Sequence, residues 1–193
     1  MIIHPYFIGR TFDQICFVVP DLKEAADFWE RSFGVGGWSM REGLSRGQTE
    51  KRYRGQPGRF EFSCAYAYAG DTLIELTRHD EGASVYAEWL DAGRTGPHHI
   101  GFRVEDHDAY LHAGQHLQAL GFEPAMSGRF EGDGVCRWAY YDTTAQLGCF
   151  TEIYYLTGGL IANRERMRRE AAALGRQPDQ ARGDGPMVTP PST

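Results

Sequence analysis

Gly96-Pro97-His98-His99-Ile100-Gly101-Phe102-Arg103-Val104-Glu105-Asp106 has an earlier counterpart in Thr11-Phe12-Asp13-Gln14-Ile15-Cys16-Phe17-Val18-Val19-Pro20-Asp21. With His99 set against Gln14, Ile100 aligns with Ile15, Phe102 with Phe17 and Val104 with Val19. Both runs alternate with the period of a strand, and each ends in an acidic residue where a helical pattern begins. One strand-to-helix unit is therefore used twice, about 85 residues apart, and the chain reads as two copies of one module. Each strand opens on a side chain able to reach a metal, Gln14 or His99.

Outward from these runs the two copies keep the same order. In the first, Asp21 is placed to cap a helix whose Ala25, Phe28, Trp29 and Phe33 recur at helical spacing, and Gly34 ends it. Residues 36–59 are polar and carry Arg41, Arg46, Arg52, Arg54 and Arg59; they read as a strand with a long loop able to draw in an anionic substrate. Residues 60–68 and 72–77 read as a hairpin turning at Ala69-Gly70-Asp71. In the second, a strand over 98–104 precedes a helix over 108–120 ended by Gly121, then strands near 122–130, 135–142 and 148–155. The expected organisation is a lead-in at 1–10, a β-α-β-β-β module at 11–78, a linker at 79–97 with a short helix, a second module at 98–156, and 157–193 as a charged helix and disordered tail. That order makes the fold class α+β.

Composition narrows the function. A net charge of -6 argues against nucleic-acid binding, because phosphate contacts need a basic surface. No apolar run is long enough to span a membrane and no signal-peptide core is found, so a cytoplasmic protein with no membrane partner is expected. Cys16, Cys64, Cys136 and Cys149 form no C-x-x-C pair and read as buried free thiols. Aromatic residues, 13% of the chain, suit a cavity for a ligand with an apolar body.

The last strand of each module carries a carboxylate in an apolar run: Glu75 in Leu73-Ile74-Glu75-Leu76 and Glu152 in Phe150-Thr151-Glu152-Ile153. A buried glutamate is costly without a compensating charge. Singly, Glu75 reads as a solvent-facing strand residue and His99 as a core histidine. Polar residues at equivalent positions of both outer strands favour a metal site instead. Strand alternation puts Cys16 and Val18 on the face of Gln14, Gly101 and Arg103 on that of His99, and Phe150 and Tyr154 on that of Glu152. Cys16, Arg103, Phe150 and Tyr154 are thus the expected substrate-binding residues; Arg103 either holds an anion or pairs with Glu105 or Asp106. His98 points away from His99 and reads as structural, and His112 and His116 as an exposed helical face.

These motifs resemble the vicinal oxygen chelate superfamily, which includes glyoxalase I, methylmalonyl-CoA epimerase, extradiol dioxygenases and bleomycin-resistance proteins. The resemblance covers about residues 11–156 and rests on the run 12–22, Ile74-Glu75-Leu76, 98–102 and Thr151-Glu152-Ile153. It implies paired βαβββ modules forming a cupped, barrel-like mixed sheet around a central cavity. It also implies one divalent metal ion (Zn, Ni, Co or Mn) at Gln14, Glu75, His99 and Glu152. Extradiol dioxygenases carry a histidine where Gln14 stands, which disfavours O2 chemistry, whereas Gln, Glu, His, Glu is associated with the eukaryotic type of glyoxalase I. The resemblance implies a lyase or isomerase, glyoxalase-like or epimerase-like. Such an enzyme abstracts a proton beside a metal-bound carbonyl through an enediolate or enolate, with Glu152 as first base and Glu75 as second acid/base. Expected partners are a small molecule, with anionic thioesters and hemithioacetals as candidate classes, and a second copy in a homodimer. The rival is a non-enzymatic drug- or toxin-binding protein of the same fold.

Overall fold

The computed structural model describes residues 12–174; the lead-in at 1–10 and the tail at 175–193 lie outside the described residues. Ten strands form one mixed sheet in the order β2-β5-β6-β1-β7-β10-β9-β8-β3-β4. They are β1 (Phe12–Val18), β2 (Ser39–Arg41), β3 (Gln48–Tyr53), β4 (Gln56–Pro57), β5 (Glu61–Ala69), β6 (Thr72–Glu81), β7 (Pro97–Arg103), β8 (Pro124–Gly132), β9 (Gly134–Tyr141) and β10 (Phe150–Leu156). The helices are α1 (Leu22–Phe33), α2 (Val85–Asp91), α3 (His107–Ala119), α4 (Thr144–Leu147) and α5 (Gly159–Leu174). The sheet curls into the α+β cup expected from the sequence.

The repeat is visible in the pairing. In each half the first strand lies parallel to the last, β1 beside β6 and β7 beside β10, and the halves join where β1 meets β7 antiparallel. The first helix of each half starts on an aspartate: Asp21 accepts from the Glu24 N–H and Asp106 from the Ala109 N–H, at 2.8 and 2.9 Å. These helices cover the convex face. Leu22 and Ala26 pack on Ala65 and Leu76, and Tyr110, Ala113 and Leu117 on Ala139, Tyr141 and Ile153. The concave face holds the aromatic core, with Phe62, Tyr86, Trp138 and Tyr140 at its centre. Among the described residues all four cysteines are free, and Cys16, Cys64 and Cys149 are buried.

Two segments depart from expectation. Residues 36–59 make three short strands rather than one, and β3 and β4 leave their own half to extend the far edge beyond β8. Residues 42–47 therefore bridge the two edges of the sheet. Ser45 Oγ accepts from the Phe62 N–H, and Lys51 Nζ donates to the carbonyls of Ser45 and Phe60, tying the bridge to β5. The charged helix spans Gly159–Leu174 and crosses the open side of the cup against β5 and β9. No helix among the described residues is long and apolar enough to cross a membrane.

Candidate metal centre

Register places the four polar residues in a block. Gln14 stands opposite Gly101, which stands opposite Glu152; in the neighbouring row Cys16 stands opposite both Glu75 and His99. Residues abreast in a sheet share a face, so two carboxylates, an imidazole and an amide all point into the cup. The middle positions, Gly101 and Cys16, are small, and the Gln14 side chain lies over Gly101.

The polar atoms meet. Gln14 Nε2 donates to Glu75 Oε2 at 2.8 Å and to Glu152 Oε2 at 2.6 Å, and lies 3.2 Å from His99 Nε2. His99 Nε2 is 3.4 Å from Glu75 Oε2 and 3.5 Å from Glu152 Oε2. All four residues are buried. Donors each about 2.1 Å from a common ion and at right angles to one another lie roughly 3 Å apart. The cluster is thus close to the spacing a divalent ion requires. Gln14 now turns its nitrogen inward; a half-turn of the amide would present Oε1, a ligating atom. Two buried carboxylates held only by neutral donors and an imidazole also leave negative charge that a cation would balance.

The carboxylates are not equivalent. Glu75 is anchored from behind, its Oε1 accepting from Cys64 Sγ at 3.1 Å and Thr77 Oγ1 at 3.2 Å. Burial works against its ionisation, but His99 outweighs burial and holds the carboxyl below its ordinary range. Glu152 accepts from Gln14 with no second side-chain donor among the described residues. Burial first, then the charge of Glu75, push its proton affinity well up. One carboxylate is therefore fixed and ionised, while the other is freer and avid for a proton.

His98, read as structural, completes the site from behind. Its Nε2 faces the Val85 carbonyl at 3.4 Å, and its Nδ1 lies 3.0 Å from His99 Nδ1. Burial, then the neighbouring His99, lower its pKa well below the usual value, so the ring is neutral. A carbonyl only accepts, so Nε2 carries the proton of His98 and its Nδ1 accepts from His99 Nδ1–H. With Nδ1 so engaged, Nε2 is the ring nitrogen of His99 left facing the two carboxylates, the atom that would ligate a metal. Tyr140 supports the ring, its centroid 4.5 Å from that of His99.

Of the four expected substrate-binding residues, one faces the cavity above the cluster. Tyr154 lines it, with its hydroxyl donating to Asp13. Cys16 is fully buried beneath the cluster, with Sγ 3.4 Å from Thr77 Oγ1. Phe150 packs against His98 and lines a separate surface pocket with Arg54 and Glu88. Arg103 pairs with Asp13 at 3.7 Å, rather than with Glu105 or Asp106. Of the loop arginines, Arg46 pairs with Glu61 and Arg54 with Glu88 and Asp142, while Arg41 lines the larger pocket outside the one above the cluster. The cavity draws its cation instead from α5, where Arg164 enters beside Gln48 and Trp138. Of the other histidines, His112 is exposed as expected, whereas His116 is half-buried.

A family model described as the glyoxalase/bleomycin resistance protein/dioxygenase superfamily matches residues 13–140. Among solved structures, methylmalonyl-CoA epimerase from Mycobacterium tuberculosis superposes with a TM-score of 0.56 at 17% identity, covering 83% of this chain and 97% of that one. A hypothetical protein from Bacillus halodurans C-125 superposes with a TM-score of 0.51 at 18% identity, over 75% and 92% of the two chains. At these identities the likeness is one of fold. No curated protein matches the chain significantly in sequence.

Proposed function

The chain belongs to the glyoxalase/bleomycin resistance protein/dioxygenase superfamily, and on that footing we propose a divalent-metal-dependent lyase or isomerase that moves a proton beside a carbonyl. The observation that carries this reading is the convergence of Gln14, Glu75, His99 and Glu152 within 2.6–3.5 Å on the buried floor of the cup. One imidazole and three oxygen donors form a set that suits Zn, Ni, Co or Mn. When bound, such an ion polarises the carbonyl oxygen of the substrate and stabilises the charge that develops there. Glu152, loosely held and avid for a proton, takes the hydrogen from the adjacent carbon, and the C–H electron pair passes toward the carbonyl oxygen. Return of that proton to the other face of the same carbon gives epimerisation; return to the neighbouring carbon gives a glyoxalase-like shift. Glu75, fixed by Cys64 and Thr77, stays ionised as a ligand or serves as the acid/base of the opposite face. Buried walls keep water from competing for the proton.

Thioesters, as in the name of the mycobacterial neighbour, and hemithioacetals are the substrate classes to test first. The free thiols fit a reducing, cytoplasmic setting, and a homodimer is the proposed assembly. The test is metal content together with deuterium uptake from D2O at the carbon beside the carbonyl. Native protein should carry about one ion per chain and catalyse uptake. Gln14→Ala/His99→Ala should lose the ion, and Glu152→Gln should keep it while losing uptake. No ion after reconstitution, with ligand binding untouched by the double variant, would leave the non-enzymatic binding protein as the better account.

A further inference from the structure

The cavity above the cluster has two chambers. The inner one reaches Gln14, Glu75 and Glu152 and is small, about 60 Å³. The outer one is about 410 Å³, within the size range of small-molecule sites. Its walls are mostly apolar, with Phe130, Leu156, Leu160 and Met167, and also carry Arg41 and Glu42. The chambers share Leu44, Gln48, Tyr66, Cys136 and Arg164, so these residues form the neck between them.

Two polar atoms at that neck are unpaired. Arg164 Nη1 and Gln48 Oε1 are buried with no hydrogen-bond partner among the described residues. The guanidinium sits over the Tyr66 ring at 4.5 Å, which holds it in place without using its in-plane donors. Burial opposes its charge, but the nearby Glu75 favours it and a guanidinium keeps its proton in proteins, so it stays cationic. A buried guanidinium donor left without an acceptor is costly. A helix laid across the cup would not retain it there for packing alone. Once an ion balances Glu75 and Glu152, Arg164 is the remaining charge of the inner pocket.

We propose that Arg164 and Gln48 form the recognition site for the substrate's anionic group, and that the substrate is a small amphipathic carboxylate bearing a carbonyl a few bonds away. Its carboxylate accepts from Arg164 at the neck, with a hydroxyl or N–H facing Gln48. Its carbonyl reaches the inner chamber, and its apolar body lies in the outer one. The apolar outer wall suits an aryl or alkyl group rather than a polyphosphate. This assignment rests on the cluster being the reactive centre, but anion recognition is measurable without the reaction.

The experiment is binding of phenylpyruvate, phenylacetate and phenylacetone by calorimetry, to metal-loaded and metal-free protein, with Trp138 fluorescence as a second readout. The acids should bind at least tenfold more tightly than the neutral ketone to metal-loaded protein, with a smaller preference in the metal-free form, where Glu75 and Glu152 are unbalanced. Arg164→Met should abolish that preference while leaving phenylacetone affinity within twofold, and Arg164→Lys should restore part of it. Equal affinity for acids and ketone in native protein, or an unchanged preference in a folded Arg164→Met, would overturn the proposal; a guanidinium serving only as counter-charge to the carboxylates gives that result. Should Arg164→Met fail to fold, Arg164→Gln decides: an unchanged acid preference in that folded variant overturns it. Failure of the catalytic reading would show differently, as absent metal or deuterium uptake with the acid preference intact.

Discussion

Gly101 has no side chain because Gln14 occupies the space: a Cβ built there would lie 2.4 Å from Gln14 Cγ. Gly101→Ala should therefore keep the fold yet push Gln14 off the cluster, weakening metal binding by roughly tenfold, a typical loss for a displaced supporting group. Circular dichroism and equilibrium dialysis check it, and unchanged affinity would refute it. His98→Phe asks the complementary question. A phenyl ring preserves packing against Tyr86, Trp89 and Phe150 but offers no acceptor to His99 Nδ1. Loss of the relay should cost about 10- to 100-fold in metal affinity although residue 98 never touches the ion. At this scale the sequence was legible where the two copies echo each other, as Gln14 echoes His99 and Glu75 echoes Glu152. It was illegible where depth matters. Alternation gives the face of Cys16 correctly but not its place beneath the cluster, and it says nothing of a histidine turned back along its own strand.

Most strands and helices were foreseeable from alternation, caps and turns; the arm of β3 and β4 was not. β3 reads Gln48-Thr49-Glu50-Lys51-Arg52-Tyr53, a polar run with no buried face to set its register, yet it docks on β8. What holds this arm is charge at its tip. Arg54 donates to Glu88 of α2 and to Asp142 beyond β9. Hydrogen bonding from Arg54 lowers the Glu88 carboxyl; burial raises that of Asp142, but bonds from Thr144 and Arg54 outweigh it. Depressed carboxylates stabilise the fold above their unfolded values near pH 4, and that contribution is lost as pH falls through the lower folded values. The side chains of Arg54 and Glu88 are 42% and 34% exposed, so solvent screening limits the effect to about 1 kcal/mol or less. Arg54→Met should accordingly melt lower than wild type at pH 7, with the gap closing toward pH 3; a gap independent of pH would count against it. Arg164 was hidden for a related reason. A cation in the charged run of α5 reads as solvent-facing until the helix is seen lying across the cup.

All four residues of the cluster come from one chain, so metal stoichiometry should not depend on assembly. Elemental analysis of fractions separated by size should give about one ion per chain in each, and chelation should lower the melting temperature of each. A monomer fraction without metal beside a loaded dimer would show instead that the site is shared. The bridge at residues 42–47 has a consequence in time. A chain emerging N-terminus first presents β3 about 80 residues before its partner β8 exists, a delay of several seconds at ordinary synthesis rates. Until then the arm has its short turn with β4 and the Lys51 bonds to Ser45 and Phe60, but no strand partner at the far edge. Docking of the arm on β8 thus waits on the second half of the chain. Lys51→Met, which cuts the stitches to Ser45 and Phe60, should hasten unfolding severalfold while leaving refolding within twofold. The newborn protein passes through a stage with its binding chamber unroofed, and its speed in leaving that stage governs its exposure to aggregation.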